Sequence, residues 1–131
     1  MNRPVNNKWI LVVDDDEATR DLSRIILKEA GYEVYLAEEG DDAVECYKVA
    51  QNCGYPFDAV IVDLFMPRGM GGRETVGKLL ELDPAVRAIV TSGSIYDPAI
   101  IDFKRYGFRG ALPKPFSHEH LVQTVGNVLA D

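Results

Sequence analysis

The sequence predicts an α/β fold, a three-layer sandwich on a parallel β-sheet, and three observations carry that expectation. Short apolar runs rich in Val and Ile recur along the chain, at Trp9–Val13, Ala59–Val62, Ala88–Val90 and Ala111–Leu112. Such runs are continuous rather than alternating, which marks strands covered on both faces, as in parallel sheets. Amphipathic stretches of helical length separate them. Strict alternation of strand and helix with right-handed crossovers then places helices on both faces of the sheet.

The elements follow in order. A strand near 9–14 leads to a helix near 17–30, with Leu22, Ile25, Ile26 and Ala30 as its expected buried face and Gly31 as its stop. Trp9 is expected to cover one end of the sheet. A strand near 33–37 precedes a helix near 41–52 carrying Ala43, Val44, Tyr47, Val49 and Ala50. The strand near 58–63 runs into a loop with Pro67, Gly69, Gly71 and Gly72, then a helix near 73–82 with Val76, Leu79 and Leu80. The strand near 86–91 precedes a helix near 98–106, where Asp97 is the expected N-cap and Pro98 takes the first helical position. A strand near 109–112 and a helix near 118–130, capped by Ser117, complete the chain. Residues 1–131 read as one domain with a core of about 8–130, without repeats, low-complexity tracts, a linker or room for an output domain.

A net charge of −7 argues against direct binding to nucleic acid or an anionic membrane, since both recruit basic patches. No apolar run reaches membrane-spanning length, and residues 1–8 lack the apolar core of a signal peptide, so a cytoplasmic location is expected. Cys46 and Cys53 form no Cys-x-x-Cys pair and read as ordinary thiols. His118 and His120 lie two apart at a helix start, on different faces, which argues against a shared metal. Tyr106, Phe108 and Phe116 read as packing residues.

Chemistry collects where the strands end. Asp14 and Asp15 follow the first apolar run, Asp63 the third strand, Thr91 and Ser92 the fourth, and Lys114 the fifth. In an open α/β sheet the functional crevice lies outside the carboxyl ends of the strands, so these residues are expected to meet. Crowded carboxylates repel, and a divalent cation with a lysine beside it would hold them ionised. That is the chemistry of an aspartate that accepts a phosphoryl group. Alone, each residue has a plainer role: Asp63 as a turn residue, Ser92 as a turn hydroxyl, Lys114 as a solvent lysine.

The segments "VVDDDE", "VDLFMP", "VTSG" and "LPKPF", in that order, resemble the receiver domain of two-component signalling proteins over nearly the whole chain. The resemblance implies a flavodoxin-like five-stranded sheet of order 2-1-3-4-5 with five helices. It implies that Asp63 accepts phosphate from a histidine kinase phosphohistidine. It implies Mg²⁺ held by Asp15 directly, by Asp14 largely through water, by Asp63 and by the Phe65 carbonyl. Ser92 would bond the phosphoryl group, Lys114 would pair with it, and the Lys114–Pro115 bond would be cis. Thr91 is the alternative to Ser92, which the interval to Lys114 and the following Gly93 favour. Phosphorylation would shift a two-state equilibrium and alter a partner surface near the fourth strand and fourth helix, which describes a switch and not a turnover enzyme.

Three departures qualify the resemblance. Ala111 stands where an aromatic is usual. "RGMGG" makes the loop after Met66-Pro67 one residue longer than the common form. "SGSIYDPAI…FKRYGFRGALPKPF" looks most like receivers attached to hybrid histidine kinases. Phe65 and Ser94 occupy positions that often steer hydrolytic water, and Phe65 is expected to screen an acyl phosphate. The alternative is a haloacid-dehalogenase-like Mg²⁺-dependent phosphatase, but Asp14-x-Asp16-x-Ala18 matches its D-x-D-x-T pattern only in part.

Overall fold

The computed structural model describes residues 7–130. Its elements are β1 (Trp9–Val13), α1 (Glu17–Glu29), β2 (Glu33–Ala37), α2 (Gly40–Asn52), β3 (Ala59–Asp63), α3 (Gly72–Leu82), β4 (Ala88–Ser92), α4 (Pro98–Ile101), a 3-10 turn (Phe103–Tyr106), β5 (Gly110–Pro113) and α5 (His118–Ala130). The five strands pair in parallel in the order β2-β1-β3-β4-β5. The expected flavodoxin-like arrangement is therefore the observed one.

Side-chain alternation along the strands divides the core in two. On one face Leu11, Val13, Val60, Val62, Ala88 and Val90 pack with Tyr47 of α2, Val76 and Leu79 of α3 and Ala99 and Ile100 of α4. On the other, Ile10, Val12, Ala59, Ile61, Ile89 and Leu112 meet Ile26 and Leu27 of α1 and Leu121, Val125 and Val128 of α5. These are the three layers.

The helix starts follow their capping residues. Asp16 accepts the Thr19 N–H at 3.1 Å at the head of α1, Asp97 accepts the Ala99 N–H at 2.9 Å before α4, and Ser117 accepts the His120 N–H at 3.0 Å before α5. Two expectations need correction. The buried face of α1 is Arg20, Ser23, Ile26 and Leu27, while Leu22 and Ile25 stand exposed, 54% and 51% accessible, and Ala30 is exposed too. Val49 of α2 is likewise exposed. The single helix expected near 98–106 breaks at Asp102, whose φ of −127° and ψ of 61° leave the helical region, and resumes as the 3-10 turn. Tighter bonds from Arg105 N–H to the Asp102 carbonyl and from Gly107 N–H to that of Lys104 close this turn, and Gly107 ends it at φ 92°.

Trp9 sits at the amino end of the sheet as expected, its ring 5.2 Å from Tyr35, 6.0 Å from Tyr55 and 6.3 Å from Phe57. Below these rings the buried Tyr47 hydroxyl donates to Asp83 Oδ2 at 2.6 Å.

Candidate functional site

At the opposite end of the sheet the strands deliver the polar residues. The chain leaves β1 at Asp14, whose N–H still bonds the Ala37 carbonyl of β2 at 3.1 Å. Asp14 is buried; its Oδ1 accepts the Asp16 N–H at 2.9 Å. Asp63 closes β3, also buried, and its Oδ1 accepts the Phe65 N–H at 3.3 Å. After β5 the Lys114 N–H bonds the Ser92 carbonyl at 2.8 Å, which fixes its backbone beside β4. From there its Nζ reaches Asp14 Oδ2 at 2.7 Å and Asp63 Oδ2 at 3.2 Å. The Lys114–Pro115 peptide bond is cis.

Asp14, Asp15 and Asp63 each place a carboxylate oxygen within 4.8 Å of the others. Three hard oxygen donors in that space suit Mg²⁺, which takes octahedral oxygen ligands and keeps several waters. Lys114 already offsets part of the repulsion. Removal from water drives the Asp63 carboxyl up to about 6, the Asp14 charge pushes the same way, and Lys114 opposes both. Burial alone would lower the Lys114 ammonium, but Asp14 and Asp63 outweigh it and raise it. The exposed Asp16 is held below the usual carboxylate range by the Thr19 hydroxyl and N–H.

Ser92 and Thr91 are both buried, and as neighbours in β4 they face opposite sides of the sheet. Ser92 opens onto a cleft lined by Leu64, Phe65, Gly72, Arg73 and Asp97, of which Thr91 is not part. Its Oγ accepts the Ser94 N–H at 3.1 Å. Phe65 lies at the rim of the same cleft and is 73% exposed. Close approach shapes the floor: a Cβ on Gly72 would lie 2.5 Å from the Asp63 carbonyl oxygen, so α3 begins hard against the end of β3.

Every residue singled out at the strand ends thus lies at the carboxyl edge; the three carboxylates are in mutual reach, and the lysine reaches Asp14 and Asp63. Residues read as ordinary lie apart from it. His118 Nε2 is 3.8 Å from Glu29, and Cys46 and Cys53 are free thiols. One participant was missed. Arg20 is buried, donates from Nη1 to the Asp14 carbonyl at 2.7 Å and reaches Glu38 at 3.5 Å. Its signal was positional: Arg20, Ser23 and Leu27 recur at helical spacing, a stripe masked by the more apolar Leu22 and Ile25.

Comparison with known proteins gives the class. The response regulator receiver domain profile matches residues 10–126. The chain belongs to the response regulator receiver domain family. Among relatives, it is 31% identical over 122 residues to the chemotaxis protein CheY of Thermotoga maritima, covering 92% of this chain and 97% of that one. It is 35% identical over 105 residues to a response regulator receiver protein of Anaeromyxobacter, covering 80% of this chain and 42% of that one. It is 32% identical over 120 residues to the sensor kinase CckA of Brucella abortus, covering 92% of this chain and 12% of the kinase. A CheX-CheY-BeF3-Mg complex of Borrelia burgdorferi superimposes with a TM-score of 0.85 at 26% identity, covering 95% of this chain and 90% of that chain. The comparisons lend no support to a haloacid-dehalogenase-like phosphatase. Among the described residues no helix is long and apolar enough to cross a membrane.

Proposed function

We propose that this chain is a phosphoacceptor switch of a two-component phosphorelay in the cytoplasm, one receiver domain over residues 1–131, with Asp63 as acceptor. The observation that supports it best is Lys114 bridging two buried carboxylates, Asp14 and Asp63, with Asp15 beside them. Asp14, Asp15, Asp63 and the Phe65 carbonyl are the ligands proposed for Mg²⁺. The bound ion supplies positive charge against the oxygens of the transferring group.

The chain's own residues do the rest. A carboxylate oxygen of Asp63 attacks the phosphorus of a kinase phosphohistidine. The new O–P bond forms as the N–P bond breaks, and the imidazole nitrogen leaves with the electron pair. The Lys114 ammonium, 3.2 Å from Asp63, stays within reach of the added negative charge. The Ser92 hydroxyl donates to a phosphoryl oxygen and so reports the modification to the backbone beyond β4. One phosphoryl group is held per site, with at most slow self-dephosphorylation. A kinase or hybrid kinase is the donor, and the likeness to the CckA segment supports a hybrid parent.

The test is intact mass after incubation with acetyl phosphate and Mg²⁺. Wild type gains one phosphoryl group and Asp63→Asn gains none. Equal labelling of Asp63→Asn would remove Asp63 from the role.

A further inference from the structure

A continuous series of contacts leads away from Ser92. Its Oγ accepts the Ser94 N–H at 3.1 Å, and the Ser94 carbonyl accepts the Asp97 N–H at 3.3 Å. Asp97 Oδ1 caps α4 through the Ala99 N–H at 2.9 Å and also accepts from Arg73 Nη2 at 3.4 Å. The same guanidinium lies over the Tyr106 ring, 4.6 Å from its centroid. Arg73 is the second residue of α3, directly after the Gly72 that packs on the Asp63 carbonyl. It therefore ties the element after the phosphoacceptor to both short elements after the switch hydroxyl.

Resting on the phosphoacceptor reading, we propose that Arg73 is a positioning residue, a strap that holds Asp97 and Tyr106 against α3 while Asp63 is unmodified. When Ser92 engages a phosphoryl group on Asp63, its tether to Ser94 draws Gly93–Asp97 toward the site. Asp97 then leaves Arg73, and the Tyr106 turn is released. The strap's two contacts are individually weak, because Arg73 and Asp97 are 51% and 25% exposed and solvent screens the pair. Weak contacts suit a switch, since the ligand's differential binding must exceed what they contribute. The stretch that moves carries Ile95 and Tyr96, both exposed, so its displacement rearranges apolar surface.

Beryllofluoride with Mg²⁺, a stable stand-in for the phosphoryl group, tests this. It would be titrated into wild type, Arg73→Ala, Arg73→Lys, Tyr106→Leu and the Arg73→Ala/Tyr106→Leu double variant, following amide shifts over residues 92–106. Because the strap favours only the unloaded form, Arg73→Ala should bind about two- to fivefold more tightly. Arg73→Lys should fall between, since an ammonium keeps the charge but loses the planar stack. The double variant should bind no more tightly than Arg73→Ala, because one device cannot be removed twice. Unchanged or weaker binding by Arg73→Ala, or fully additive effects, with wild type binding normally, overturns the strap alone. No binding by wild type overturns the phosphoacceptor reading and the strap with it.

Discussion

At the amino end of the sheet Trp9, Tyr35, Tyr55 and Phe57 pack ring against ring, whereas at the carboxyl end Asp14 and Asp63 converge on one lysine with Asp15 beside them. Each end closes the same five strands. The aromatic end gains from burying surface and from ring geometry. The acidic end confines like charge away from water and costs stability until something positive joins Lys114. Folding and chemistry are thereby assigned to opposite ends of strands only four or five residues long, separated by roughly 16 Å.

Three substitutions would break or sharpen that division. The largest effect is expected from Phe57→Ala, which empties a buried ring site touching Trp9, Tyr35 and Tyr47. Urea denaturation should show a loss of about 3 kcal/mol or more. Mg²⁺ affinity of the folded variant should not change. A matching loss of Mg²⁺ affinity would mean that the two ends are coupled.

Next comes Asp63. Its carboxyl titrates near 6 in the fold and near 3.8 in the unfolded chain, so the fold favours the protonated form. That contribution is fully present below about pH 3.8 and is lost as pH rises through about 6. Without divalent cations, stability should therefore fall by on the order of 2 kcal/mol from this group across that window. Asp63→Asn should remove the slope and be more stable than wild type at neutral pH. Denaturant midpoints at several pH values check it, and an unchanged slope would show that Lys114 already neutralises the site.

The smallest effect belongs to Tyr47→Phe, which deletes the 2.6 Å bond to Asp83 and leaves the ring in place. A cost of about 1 kcal/mol, with no change in phosphorylation rate, would be measured by thermal denaturation and acetyl phosphate labelling. A change in labelling would show that the amino end influences the acceptor.

The strands and the site were legible for the same reason. A strand buried on both faces needs a continuous apolar run, and the polar residue ending that run lands at the sheet edge whatever the surrounding helices do. Asp14, Asp63 and Lys114 could be placed on that basis. Helix faces were less legible. Leu22 and Ile25 have the composition of a buried stripe, yet the helix turns Arg20 and Ser23 inward, because the Asp14 carbonyl offers Arg20 a buried acceptor. Periodicity names the stripes a helix has and not which one the fold uses. The break at Asp102 was hidden as well, since no Gly or Pro marks it. The contacts of Arg73 join residues 24 positions apart to Asp97 and still farther to Tyr106, which no local pattern encodes.

The stretch between the acceptor and α3 is fastened at both ends. The Leu64 N–H bonds the Thr91 carbonyl at 2.9 Å, and the Gly72 N–H bonds the Leu64 carbonyl at 3.1 Å. Residues 65–71 thus form a noose drawn shut at its neck, with Gly69 taking the left-handed turn at φ 83°. Within "RGMGG", Arg68 to Gly71 lie inside the noose, and its last residue, Gly72, closes the neck against the Asp63 carbonyl. For grafting, the segment is a cassette whose fixed parts are the Leu64 and Gly72 neck bonds, the bare backbone of Gly72 and the buried Met66 side chain.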